Sequence, residues 1–406
     1  MQSTHTRAAQ IRAALVRTVM LSIVASQISG AQSPALALAP APDWSLVADA
    51  LVARMQLTKG ERVLLVAQPG VADGLVAPLR AAIAKAGGLD LGALAVRGDA
   101  PSGWSTDFTR GATGKSEDQL ILYLGKVDVG VMMPGATVTD AAYGAMQRML
   151  RAPNAGIART MHVHWSGAYA LNGDPISITK PFARLYQRAV VSTNYASLAL
   201  RQQEFEQAMR GASERGASVH VTTPAGTDLT FTIGNRPVTR QDGDASAARM
   251  RRAKNLIDRE VEVPAGAIRV APIETSVRGA IAFPDGVWGG VRVTGLVMRF
   301  ERGVLTDFTA RSGRDGVDKE LAAAGVSGRS FREFVLGFNP LLAIPERGEK
   351  WIPYYGYGAG VVRLSLGDNT ELGGTVGGGY VRWNFFTDAT VTVGNDVWVR
   401  AGKMKE

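Results

Sequence analysis

The sequence predicts two successive architectures, an α/β N-terminal domain followed by a β-rich α+β C-terminal domain. Up to about residue 200, continuously apolar runs alternate with amphipathic stretches, as in a parallel sheet covered by helices. Beyond that point, short alternating runs separated by Gly, Pro, Asp and Asn take over. The chain, at 406 residues, also exceeds what one hydrophobic core usually organises. The expected division is a leader over 1–31, a linker over 32–43, an α/β domain over 44–200 and a C-terminal domain over 201–406.

Taken in order, Asp43 is placed to cap a helix over Trp44–Met55, where Leu46, Val47, Ala50, Leu51 and Met55 recur at helical spacing. Glu61–Ala67 reads as a buried parallel strand, Asp73–Ala86 as a helix stopped by Gly87 and Gly88, and Leu91–Val96 as the next strand. A helix over Glu117–Gly125, a strand over Val127–Met133, a helix over Thr139–Leu150 and a strand over Arg159–Trp165 continue the theme. A long helix over Asn194–Gly211 joins the two halves. Ser218–Thr223 and Asp228–Ile233 read as a hairpin. Short strands follow at Ile268–Pro272, Ala280–Phe283, Val291–Thr294 and Val297–Phe300. A helix over Asp315–Ala324 interrupts them, and strands close the chain from Val361 to Val399.

Hydrophobic residues make up 46% and charged residues 20%, which is ordinary for a globular protein. Three of the 45 basic residues, Arg7, Arg12 and Arg17, fall in the leader, so the remainder carries 42 basic against 36 acidic residues, +6. No basic stripe with interleaved aromatics accompanies that charge, so nucleic acid is not an expected partner. With no cysteine there are no disulfides, thiolate metal sites or cysteine nucleophile. Arginines before the apolar run Val19–Ala25, with small residues at Ser29–Ala31 or Ala35–Ala37, have a signal-peptide layout. The expectation is a periplasmic or secreted protein, or a cytoplasmic one if that extension is not a signal. No segment has the eighteen or so apolar residues of a membrane span.

Thr109–Ser116 superficially suggests a phosphate loop, but the first required glycine is Thr109 and no apolar strand precedes it, so it reads as a solvated loop. His162 and His164 alternate on one strand face, a spacing that supplies at most two metal ligands, with no Asp or Glu cluster adjoining them. Only His5 and His220 remain, and there is no Gly-x-Ser-x-Gly elbow.

In the second half, Thr222–Phe231 (TTPAGTDLTF), Val263–Pro272 (VPAGAIRVAP), Glu274–Gly279 (ETSVRG), Phe300–Val304 (FERGV), Arg332–Pro340 (REFVLGFNP), Leu366–Asn369 (LGDN) and Gly373–Gly374 occur in order. Together they resemble the aminopeptidase T family of thermophilic-type leucyl metallo-aminopeptidases, over residues 195–405. The resemblance implies an aminopeptidase T-like fold, a homodimer, and two divalent metals such as zinc or cobalt that activate water. It also implies a ligand set, and this chain departs from it. The family's Gly-Glu falls on Gly266–Ala267, its first histidine on Arg363, and its His-x-Asp on Arg382 and Asn384; only Glu333 is retained. The ring-cleaving dihydroxypyridine dioxygenases, a sister branch, draw their ligands from the same motifs.

A guanidinium offers donors and no acceptor, so it does not ligate a metal. No metal cofactor is therefore expected at these positions. Glu333 is the candidate catalytic residue, and Arg363, Arg382, Trp383 and Asn384 are the candidate ligand-binding residues. Two readings stay open: the arginines replace metal charge by pairing with Glu333, or they fork onto a small anionic or peptide-like ligand. The expected protein is a ligand-binding or metal-independent descendant. The alternative is a leucyl aminopeptidase-like hydrolase with a relocated metal.

Overall fold

The computed structural model describes residues 42–152, 154–165, 167–176, 182–343 and 351–405. The leader expected over 1–31, and nearly all of the linker, lie outside the described residues. The first helix is Trp44–Met55, and the Asp43 carboxylate accepts from the Leu46 amide at 3.0 Å as its cap. Four strands of the parallel sheet follow the apolar runs: Arg62–Ala67, Leu89–Ala95, Val129–Met132 and Arg159–Val163. The fifth was not anticipated. Glu260–Val263 returns from beyond residue 201 to lie parallel to Arg159–Val163, with His162 opposite Glu262.

Two antiparallel sheets make up most of the rest. An inner sheet orders its strands Val381–Phe386, Val362–Gly367, Phe331–Gly337, Ala267–Val270 and Thr239–Gln241. An outer, eight-stranded sheet includes the expected hairpin, observed as Val219–Thr222 and Asp228–Phe231. The main core lies between these two sheets and takes in Phe205 and Met209 of the helix Tyr195–Glu214. No described helix is long and apolar enough to cross a membrane.

Two local readings change. The stretch from Thr109, expected as a loop, starts inside a helix, Asp107–Ala112, capped reciprocally by Thr106 and Thr109. A helix over Phe182–Val191 was missed. The Leu366–Asn369 turn is as tight as its glycines suggest. A Cβ on Gly374 would fall 2.1 Å from the Asn369 side chain, which is fully buried and donates to Glu274 at 3.1 Å.

Candidate functional site

Strand alternation decides which side chains meet. On the inner sheet Ile268, Val270, Phe334, Leu336, Val362, Leu364 and Leu366 enter the core between the sheets. Residues of opposite parity face the other way, towards the edge of the parallel sheet. These are Arg269, Glu333, Val335, Arg363 and Ser365, matched by the pairings Arg269 with Val335, Val335 with Arg363, and Glu333 with Ser365. A bulge between Phe331 and Glu333 adds Arg332 to the same neighbourhood.

Glu333 is fully buried there and saturated with donors. Arg363 Nη2 reaches one of its oxygens at 3.1 Å, Arg269 Nε the other at 3.1 Å, and Arg332 Nε and Ser365 Oγ approach at 3.3 and 3.2 Å. Burial alone would raise the Glu333 pKa, but the charges of Arg269, Arg363 and Arg332 hold it far below the ordinary 4.5. Glu371 closes the cluster, accepting from Arg332 and, at 3.3 Å, from Arg269. Three guanidinium groups thus face two carboxylates, a formal excess of one positive charge. Arg363 also donates to the Tyr355 carbonyl at 3.1 Å and lies 5.0 Å from the Trp383 ring, while its Nε has no partner.

Register separates the four expected ligand-binding residues. Arg363 pairs with Phe385 and Ser365 with Trp383, so Arg363 and Trp383 share the site face. Arg382 and Asn384 pair with Leu366 and Leu364 and share the core face instead. Arg382 therefore does not reach Glu333. It bonds Glu320 at 2.8 Å and the Val287 carbonyl at 2.9 Å, and its guanidinium stacks 3.6 Å from the Trp288 ring centre. Asn384 is fully buried, with both amide atoms unpartnered.

The strand Glu260–Val263 brings carboxylates to the two histidines, which overturns the expectation that none adjoins them. His164 Nε2 and Glu262 Oε2 are 2.6 Å apart, and the Tyr354 hydroxyl donates to the same oxygen at 2.9 Å. Burial pushes Glu262 up, but His164 and His162 outweigh it and bring it down to about 2. His162 is enclosed, with the Tyr143 and Thr160 hydroxyls each 2.8 Å from a ring nitrogen, and burial lowers it to about 4. Glu260 goes the other way: burial and Glu371 raise it to about 8, and among the described residues only Gln147 bonds its carboxyl, at 2.8 Å. Tyr354 has φ of 56°, a left-handed conformation that costs a non-glycine residue about 1–2 kcal/mol and is retained where packing fixes it.

A cavity of about 410 Å³ opens beside Glu371. Arg151, Lys254 and Arg259 line it, with Asn255 between them. Arg259 is committed to the carbonyls of Gly156 and Ala158. Arg151 and Lys254 are exposed and have no ion-pair partner among the described residues.

Of the sequence-based site residues, Glu333, Arg363 and Trp383 are brought together. Arg269, Arg332, Glu371, Glu260 and Glu262 were missed. The available signal was alternation: Arg269 between Ile268 and Val270, and Glu260 and Glu262 alternating with Val261 and Val263.

No protein-family model matches the chain, and no curated protein does. Among solved structures, 2,5-dihydroxypyridine dioxygenase from Pseudomonas putida superposes with a TM-score of 0.55 at 14% identity, over 89% of this chain and 96% of that one. Wild-type aminopeptidase T (AmpT) from Thermus thermophilus gives 0.53 at 15% identity, over 89% and 99%. Identity this low speaks for fold alone, and the chain has a mixed α/β fold similar to that of aminopeptidase T.

Proposed function

We propose that this protein binds a small anionic molecule in the cavity beside Glu371 and does not cleave peptides with a two-metal centre. The observation that carries the reading is the charge of that cavity. Arg151, Lys254 and Arg259 face a single carboxylate, Glu371, which is itself held by Arg269 and Arg332. A volume of about 410 Å³ suits a compact organic acid or phosphomonoester, and a concave cationic surface concentrates such anions.

The positions aligned with the family's metal ligands do not fit two metals. Arginine has no lone pair to give, and the acceptor capacity of Glu333 is taken up by Arg269, Arg332, Arg363 and Ser365. The reading extends the charge-replacement account of Glu333 and moves ligand recognition to the cavity. On the N-terminal layout we place the protein outside the cytoplasm, and on the resemblance to aminopeptidase T we take it as a homodimer; sequencing of the mature end and light scattering test those two points.

Calorimetry against a panel of mono- and dicarboxylates and sugar phosphates tests the main reading. Saturable binding of at least one class is expected. A double variant, Arg151→Ala with Lys254→Ala, should weaken it at least about tenfold, the loss of roughly 1.4 kcal/mol. Both side chains are exposed, so stability should change by no more than about 0.5 kcal/mol. Arg382→Ala, on the opposite face of the inner sheet, should leave binding unchanged. No anion binding at about 10 mM, near −2.7 kcal/mol, would overturn the reading. A second reading, a hydrolase with a relocated metal, draws on the proximity of His162, His164 and Glu262. Chelator-sensitive hydrolysis of leucyl anilides would favour it.

A further inference from the structure

We propose that His162, His164 and Glu262 form a binding site for one divalent first-row transition metal ion, separate from the arginine cluster around Glu333. One ligand atom from each of the three lies within 4.8 Å of the others. Backbone geometry produces this grouping. His162 and His164 are two apart and so share a face of one strand, and Glu262 sits directly across from His162 on the neighbouring parallel strand. All three lie towards the carboxyl ends of their strands, the edge from which open parallel sheets present side chains to ligands.

The donor set selects the ion. Two imidazoles and one carboxylate suit zinc, cobalt or iron(II), whereas calcium and magnesium favour oxygen donors alone. Ligands about 2.0–2.2 Å from such an ion lie little more than 3 Å apart, so the three side chains must draw in by rotation. The ion would replace the proton shared by His164 and Glu262, which are 2.6 Å apart, and that proton leaves to solvent.

Outer contacts are already in place. Ligating histidines and carboxylates are usually oriented by further hydrogen bonds. Here Thr160 and Tyr143 hold the two nitrogens of His162, so one hydroxyl keeps its hold when the other yields to the ion. Tyr354 bonds the Glu262 carboxylate, and Gln241 accepts from the Glu262 amide at 3.0 Å. The His164 side chain is 23% exposed, which gives an ion a way in. Three protein ligands leave a coordination position free. Tyr355 lies between this site and the arginine cluster: its ring is 5.0 Å from that of His164, and its carbonyl accepts from Arg363.

The test uses untagged full-length protein stripped with chelator, titrated with zinc by calorimetry and with cobalt by visible absorption. One equivalent of zinc with Kd below about 1 μM is expected, together with a cobalt d–d band. His164→Asn and Glu262→Gln should each weaken binding at least about 100-fold. A measurement on unmodified protein covers the case in which the variants fail to fold. Zinc should protect His164 from diethyl pyrocarbonate, read by mass spectrometry, but not His220, which is half-exposed and bonded to Asp228. Uptake below about 0.1 equivalent at 100 μM zinc (Kd then near 1 mM or weaker), or unchanged modification of His164, would make the trio an ordinary hydrogen-bonded cluster and overturn the inference. Anion binding, measured without metal, is decided independently.

Discussion

Replacing Glu333 by alanine is expected to destabilise the protein by about 3–5 kcal/mol, because it leaves buried arginines without their shared counter-charge. Arg363 is the worst placed: 2% exposed, it would keep only the Tyr355 carbonyl and the face of Trp383. Arg269 and Arg332 would still have Glu371. Glu333→Gln preserves the volume and removes the charge, so comparing the two variants separates cavity from electrostatics. Urea denaturation midpoints at pH 7 measure both. A loss below about 1 kcal/mol for alanine would mean that water or rearranged carboxylates neutralise the cluster, as they do for exposed pairs.

The same group sets an acid limb. Its folded-state pKa is depressed from 4.5, so its contribution is fully present above that value and is lost as pH falls through the folded value. The stability gap between wild type and Glu333→Gln should therefore stay flat from pH 8 to about pH 5 and close only in stronger acid. A gap that widened in acid would contradict the assigned sign.

How much of this was legible in the sequence depends on range. Arg62–Ala67 could be read as a central strand because five consecutive residues, Val63 to Ala67, carry one message, burial on both faces. Arg363, Leu364, Ser365 and Leu366 likewise declare two faces. It was also legible that Arg382 and Asn384 share a side and Trp383 takes the other. Which of those sides Arg363 joins is a matter of register, fixed by pairing across a glycine-rich turn, and a shift of one residue inverts it. Glu260–Val263 failed for a different reason. Its Glu-Val-Glu-Val alternation resembles a half-solvated antiparallel strand, yet its glutamates point into a buried interior that other segments supply. The cavity was illegible outright, since its lining comes from residues 150–152, 253–259 and 370–373.

Asn384→Leu is expected to stabilise the protein by about 1–3 kcal/mol, the opposite of what a ligand-binding residue would give. The resemblance to aminopeptidase T aligns this position with a metal ligand, but its pairing with Leu364 turns the side chain into the core between the two antiparallel sheets. There it is 0% exposed, with neither amide atom hydrogen-bonded. A buried polar group left unpaired costs about 1–3 kcal/mol, and leucine removes that penalty at similar size. Overpacking sets the limit, since leucine's branched end must fit where a planar amide lay. Asn384→Ala separates the terms, because it removes the same polar atoms and adds a cavity. The leucine variant should melt a few degrees above wild type and the alanine variant below the leucine variant. Anion affinity should be the same in all three proteins. A leucine variant less stable than wild type by more than about 1 kcal/mol would show that the amide has a partner, a bridging water included, and that this position is built for polarity. Unchanged affinity with higher stability would instead make Asn384 a leftover of sheet register, its polarity serving neither fold nor site.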